Sequence, residues 1–216
     1  MSFAALLIGI LAVLPQESSH PWGRFKPGST VRHKLGEDRE VLVTLKEFSP
    51  KGVVLQQDFF VGGKQGLSNT DTEPLGQLCF HCDPTAQESG KETLKIDGKE
   101  YACTVYSVPA NAPQVRVKKV WIAKGVDVPV RISDVMTAPI AKSLELVAVK
   151  VGEELIVGGK KIRTVRLEGK AASGGKEEKT IRWLSADVPG GRVKMETTLS
   201  SGEALSQGAI AFEAKR

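Results

Sequence analysis

The sequence is poor in aromatic residues, cysteine and histidine. Aromatic residues make up only 6% of its 216 residues, and it contains three cysteines and three histidines. His20, His33 and His81 all lie in the N-terminal part of the chain, and none of them belongs to a nucleophile-elbow sequence. A Ser-His-Asp hydrolase is therefore not expected.

Long apolar runs are scarce as well. Residues 3–14 form the one continuous apolar stretch, and it is shorter than the ~20 residues that a membrane-spanning helix needs. Polar residues follow directly after Pro15. This pattern is typical of a signal peptide. We predict that residues 1–19 are a signal peptide or N-terminal leader, that the protein is exported to the periplasm or the extracellular space, and that the mature chain has no stable membrane span.

Positive charge is not concentrated in any one segment. The formal net charge is +5, from 30 basic against 25 acidic residues, and the two signs are interspersed. The short basic pairs Lys118-Lys119 and Lys160-Lys161 lie in segments that alternate like strands. The charge pattern favours a mildly basic solvated surface over a polyanion site, so no nucleic-acid partner is expected.

Glycine is abundant. With 22 glycines and 11 prolines, the composition favours many turns between short strands. Residues 41–60 alternate around a Ser-Pro-Lys-Gly turn, which predicts a hairpin. Residues 61–91 lose the alternation and predict an irregular excursion with a helical turn near residues 73–78. For residues 20–216 we predict a single mainly β domain with little helix. Its curved antiparallel sheet of roughly ten strands would form a half-barrel or open barrel.

A weak internal repeat is predicted for residues 92–136 and 153–199. Each segment begins with a two-residue turn suited to positive φ angles, and each continues through a strand that ends in tryptophan to a Val-Pro turn. The matched positions are Gly98 with Gly159, Trp121 with Trp183, and Val128-Pro129 with Val188-Pro189.

The stretches VWIAKGVDVPVRI (120–132) and RWLSADVPGGRVKM (182–195) resemble an element of secreted bacterial β proteins, the DUF3108-like and lipoprotein-carrier-like half-barrels. The resemblance covers roughly residues 92–199. The N-terminal stretch HPWGRFKPGSTVRHKL is similar to secreted proteins of planctomycete-type bacteria. Membership of the carrier group would imply a curved sheet around an apolar concave face that shelters an acyl chain or another lipophilic group.

Trp121 and Trp183 are the candidate ligand-binding residues. Two interpretations of them remain open: each ring fills the core at an equivalent position of its copy, or both rings line the concave face and contact an apolar ligand.

The three cysteines are predicted to form a structural disulfide. Cys79 and Cys82 have C-x-x-C spacing, but no βαβ context for a redox pair surrounds them, and no second pair of zinc ligands is visible. A c-type haem would need histidine where Asp83 stands. We expect no metal and no cofactor. In an exported protein a disulfide is favoured. All three pairings are possible, and a bridge from Cys103 to Cys79 or Cys82 is preferred to a Cys79–Cys82 ring.

These observations lead to two hypotheses of function. The first is a non-enzymatic binding module of the cell envelope, with a lipophilic small molecule as its ligand. The alternative is a structural or protein-interaction domain whose core is filled and whose sheet edges receive an envelope protein. The oligomeric state cannot be deduced from the sequence.

Overall fold

The structure is a computed structural model, and it describes residues 20–78, 82–108, 116–137 and 141–216. The predicted leader, Cys79 and His81 lie outside the described residues. The strands are β1 (Thr30–Lys34), β2 (Arg39–Ser49), β3 (Gly52–Val61), β4 (Lys64–Glu73), β5 (Gln87–Ile96), β6 (Lys99–Val108), β7 (Arg116–Ala123), β8 (Pro129–Met136), β9 (Lys142–Val157), β10 (Lys160–Ser173), β11 (Lys176–Leu184), β12 (Arg192–Thr198) and β13 (Ala204–Glu213). A short helix, α1 (Leu75–Leu78), lies between β4 and β5.

All thirteen of these strands belong to one antiparallel sheet. Its order is β4-β3-β2-β1-β13-β12-β11-β10-β9-β8-β7-β6-β5, so β4 and β5 are the edges. The C-terminal strand β13 pairs with β1, which attaches the N-terminal strands to the meander formed by the rest of the chain. The predicted mainly β, open antiparallel sheet with little helix is confirmed. Among the described residues, no helix has the length and apolar character needed to cross a membrane.

The prediction of an irregular excursion over residues 61–91 was wrong. Residues 64–73 form β4, and β5 begins at residue 87. These edge strands are polar and almost entirely exposed, so neither shows the alternation that a half-buried strand has. The prediction of roughly ten strands was too low for the same reason, since the described residues form thirteen. The predicted helical turn near residues 73–78 is confirmed by α1.

The sheet encloses two hydrophobic clusters. The first core includes Leu45 and Trp183 together with Trp22 and Phe25 of the N-terminal segment. The second core is built around Trp121 and strands β6 to β10. Trp22 and Phe25 are 2% and 5% exposed, because the extended N-terminal segment packs them against the sheet.

The long strands β9 and β10 contribute to both cores. Val157 and Ile162, next to their shared hairpin turn, pack in the first core, whereas Leu146 and Leu167 pack in the second. The register between the two strands shifts twice between these positions. Because a shift of one residue changes the face to which side chains point, the shifts let one strand pair serve two cores.

The two segments predicted to be related have the same local geometry around their tryptophans. The indole Nε1 of Trp121 donates a hydrogen bond of 2.8 Å to Glu92, and that of Trp183 donates one of 3.1 Å to Glu153. Immediately after each tryptophan, the register of pairing with the next strand shifts. A cation from that next strand lies over each ring: Arg131 at 4.4 Å and Lys194 at 5.0 Å from the ring centroids.

Candidate functional site

A cavity of about 340 Å³ lies between the two cores. Its volume is at the lower end of the range of ligand sites, roughly 300–1,000 Å³. Aliphatic side chains from both halves of the sheet form most of its wall. They are Val31, Val41, Val43 and Leu55 from the N-terminal strands and Val120, Val128, Pro129, Ile132 and Leu184 from the meander.

The N-terminal segment and the turn between β11 and β12 close one side of this cavity. The amide of Gly190 donates a hydrogen bond of 3.2 Å to the carbonyl oxygen of Pro21. Gly190 has a φ of +78°, and a Cβ there would lie 3.1 Å from the ring of Trp22. Both the positive φ and the close approach of the Trp22 ring favour glycine at this position. An ion pair of 3.1 Å between Arg24 and Asp127 joins the same segment to the opposite wall.

Arg182 and Arg192 supply the charged part of the cavity wall. Side chains alternate along a strand, so Arg182 and Leu184 lie on the face of β11 opposite to Trp183. Arg192 of β12 pairs directly with Leu184. The two arginines are therefore diagonal neighbours on one face of the sheet, with backbones about 7–8 Å apart.

Within the described part of the chain, neither arginine forms an ion pair with a carboxylate, although the charge of Glu73 acts on Arg192. Among the described residues, the ion pairs within 4.0 Å do not include Arg182 or Arg192. The Nε of Arg182 is buried without a hydrogen-bond partner. Desolvation lowers the pKa of both guanidinium groups, and the charge of Arg192 lowers the pKa of Arg182 further. Arg192 is nevertheless exposed, so its guanidinium group is only partly desolvated, and Arg182 is the more buried of the two.

Three further titratable groups, Glu73, His33 and His20, line the cavity. One carboxylate oxygen of Glu73 is buried without a hydrogen-bond partner. Desolvation and the charge of Asp71 raise the pKa of Glu73, although Arg192 acts in the opposite direction. Burial, with a smaller contribution from Arg192, lowers the pKa of His33 to about 4. His33 is therefore neutral at neutral pH, and the two arginines dominate the charge of the cavity.

We predict that His33 makes the fold less stable as the pH falls from about 6.5 to about 4. Its pKa is 6.5 in the unfolded chain and about 4 in the folded protein, so the unfolded chain binds more protons in this window. The contribution of His33 to the free energy of unfolding is fully present above about pH 6.5. Roughly 3 kcal/mol of this contribution is lost when the pH reaches about 4.

Urea unfolding of the wild type and of His33→Phe, over this pH range, measures the effect. The free energy of unfolding of the variant should depend less on pH, since only the contribution of His33 differs between the two proteins. If the wild type and His33→Phe depend on pH in the same way, His33 is not the group that makes the fold less stable at low pH.

Trp121 and Trp183 do not line this cavity. Their side chains are 4% and 6% exposed and pack in the second and the first core respectively. These positions agree with the interpretation of the two rings as core residues. A direct ligand contact by either ring stays a prediction.

The preferred disulfide pairing of Cys103 was wrong. Cys103 is a free cysteine whose side chain lies in the second core, and burial raises the pKa of its thiol. A side chain pointing into this aliphatic cluster from the middle of β6 is not bridged to Cys79 or Cys82. The alternative Cys79–Cys82 pairing involves a residue outside the described part of the chain.

Sequence reasoning overlooked Arg182 and Arg192. When the tryptophans and the register shifts of the two segments are superimposed, Arg182 takes the sheet position of Val120, and Arg192 takes that of Pro129, which the sequence match had paired with Pro189. All four residues line the cavity. The sequence match could therefore have shown only the replacement of Val120 by Arg182, directly before the tryptophan.

No family model and no curated protein matches the chain. A crystal structure of a protein from Bacteroides fragilis, described as having a YmcC-like fold, is similar at a TM-score of 0.43 and 11% sequence identity. The similarity covers 88% of this chain and 97% of the other. A likeness of this strength says nothing about function. The class defined by the fold and the cavity is an open antiparallel β-sheet protein with an interior cavity between two cores.

Proposed function

We propose that the protein is a non-enzymatic binding module of the cell envelope that holds a lipophilic molecule in the cavity between its two cores. The observation that carries this proposal is the largely aliphatic wall of a cavity of about 340 Å³. Burial of an apolar ligand against such a wall is favourable at about 25 cal/mol per Å² of apolar surface removed from water. The predicted leader supports an envelope location.

The alternative proposal is a structural or protein-interaction domain. The exposed edge strands β4 and β5 support it, since their outer backbone groups are available for pairing with another chain. Their polar side chains weigh against it, because polar and charged edges discourage such pairing.

Binding of the neutral fluorophore N-phenyl-1-naphthylamine tests the first proposal. The wild type should bind this apolar probe, and Val43→Phe, which places a larger side chain in the cavity wall, should weaken binding at least about tenfold, or about 1.4 kcal/mol. The matched control is Val147→Phe, since Val147 is exposed on β9 and does not line the cavity. The control should bind like the wild type.

Native mass spectrometry of protein purified from its own envelope should show a retained lipophilic molecule. If the wild type neither binds the probe nor retains such a molecule, the binding module is excluded and the structural alternative is favoured. Equal weakening by Val43→Phe and Val147→Phe would locate the probe outside the cavity.

A further inference from the structure

The two copies contribute unequally to the wall of the cavity. At corresponding sheet positions, the first copy supplies Val120 and Pro129 and the second supplies Arg182 and Arg192. The cavity therefore has an apolar side and a cationic side. A ligand that matches both must combine an apolar part with a negatively charged group.

The environment of the arginines favours an anion from outside the chain. Placing two like charges side by side in a partly desolvated wall is unfavourable, and nearby protein carboxylates usually offset this cost. Among the described residues, no ion pair within 4.0 Å brings a carboxylate to Arg182 or Arg192. Glu73 is the acidic group whose charge acts on Arg192. No ion pair within 4.0 Å joins Glu73 to either arginine among the described residues, and desolvation and the charge of Asp71 raise the pKa of Glu73.

Guanidinium groups suit one class of anion. Their planar donors form paired hydrogen bonds with carboxylate and phosphate oxygens, and such charge-assisted bonds are stronger than neutral ones. Two arginines that are diagonal neighbours on a sheet face can approach one oxyanion from two directions. The Nε donor of Arg182 is buried and has no hydrogen-bond partner among the described residues.

We propose that Arg182 and Arg192 together bind the oxyanion headgroup, a carboxylate or a phosphate, of a single-chain amphiphile whose apolar chain lies along Val120, Pro129 and Ile132. This inference rests on the proposed function and names its ligand class. The volume of about 340 Å³, at the lower end of the range of ligand sites, favours one chain over two. His33 is neutral at neutral pH and does not compete with the arginines for the anion.

Calorimetric titration with ligands of one chain length tests the headgroup preference. Dodecanoate and dodecyl phosphate, below their micelle concentrations, should bind at least about tenfold more tightly than neutral dodecanamide. Acetate and inorganic phosphate provide the headgroups without a chain, and they should bind far more weakly than the two amphiphiles.

Charge-removing variants assign the preference to the two arginines. Arg182→Gln and Arg192→Gln should each weaken dodecanoate binding roughly tenfold, and the double variant should bind dodecanoate and dodecanamide equally. The matched control is Arg163→Gln, which removes the same charge from an exposed residue of β10 that does not line the cavity. This control should keep the full preference. The control should also bind the neutral naphthylamine probe like the wild type.

The stability of the ligand-free protein provides a second measurement. Arg182→Met removes a desolvated charge and the like-charge contact with Arg192 while keeping an apolar stem, so it should raise the melting temperature while weakening dodecanoate binding. A purely structural role predicts the reverse: a lower melting temperature and unchanged affinity for dodecanoate.

The possible failures are distinguishable. If the probe binds but dodecanoate and dodecanamide bind equally to the wild type, the headgroup assignment is overturned and the lipophilic site stands. If the wild type neither binds the probe nor retains a lipophilic molecule from its envelope, the proposed function fails. Inorganic phosphate or acetate binding as tightly as the amphiphiles, with loss in both arginine variants, would make the ligand a free small anion and overturn the assignment to an amphiphile.

Discussion

Replacement of Gly169 by alanine should lower the free energy of unfolding by more than about 3 kcal/mol or prevent folding. A Cβ at this position would lie 1.8 Å from the carbonyl oxygen of Glu145 and 3.0 Å from the Cα of Leu146. These are backbone atoms of the adjacent strand β9, so no change of side-chain rotamer relieves the overlap. The strands β9 and β10 must separate, and both cores depend on them.

The matched control is Gly66→Ala in β4. The nearest heavy atom to a Cβ at Gly66 is the carbonyl oxygen of Phe59 at 3.9 Å, which is an ordinary contact. Its stability should remain within about 0.5 kcal/mol of the wild type. Urea unfolding followed by tryptophan fluorescence compares the three proteins. Comparable stability of Gly169→Ala and Gly66→Ala would show that β9 and β10 are not paired in this register.

Replacement of Trp183 by alanine should cost about 3–5 kcal/mol of unfolding free energy. The ring is 6% exposed in the first core, and its removal leaves a cavity and deprives Glu153 of its indole donor. Trp121→Ala should have an effect of the same size in the second core. Trp183→Phe retains most of the volume and loses the hydrogen bond, so its cost should be smaller, about 1–2 kcal/mol.

The Trp183→Phe variant also tests whether this ring contacts the ligand. Trp183 lies on the face of β11 opposite to Arg182, so Trp183→Phe should bind the naphthylamine probe with unchanged affinity. Binding is measured at a temperature where the variant is fully folded. A several-fold loss of affinity would instead support the predicted ligand contact by Trp183.

The two segments predicted to be related have the same kinds of contact around their tryptophans and differ where they face the cavity. Each has an indole hydrogen-bonded to a glutamate, a cation over the ring and a register shift directly after the tryptophan. The cavity-facing neighbour of the tryptophan is Val120 in one segment and Arg182 in the other. A packed core constrains the shared residues, whereas the cavity wall tolerates a charge because solvent or a ligand can reach it.

Several elements could be predicted from the sequence because their causes are local. The hairpin turns of β5–β6 and β9–β10 have positive φ at both central residues, at Asp97-Gly98 and Gly158-Gly159. Few other residues adopt this conformation, so the pattern is visible in the sequence. The alternation in β2 and β9 and the aromatic anchor Trp22 are equally local signals. Strand β4 and the first half of β5 gave no such signal, because these polar edge segments are exposed on both faces.

The sequence by itself determined that this chain is mainly β, where its tight turns lie and which aromatic residues anchor it, because period-two burial and positive φ depend on neighbouring residues. Only the tertiary structure decided that β13 pairs with β1, which brings the N-terminal strands opposite β7 and β8 and creates the cavity. The arginines illustrate this limit. Arg182 and Arg192 resemble ordinary surface charges in the sequence, and only the register of β11 and β12 places them side by side on the cavity face.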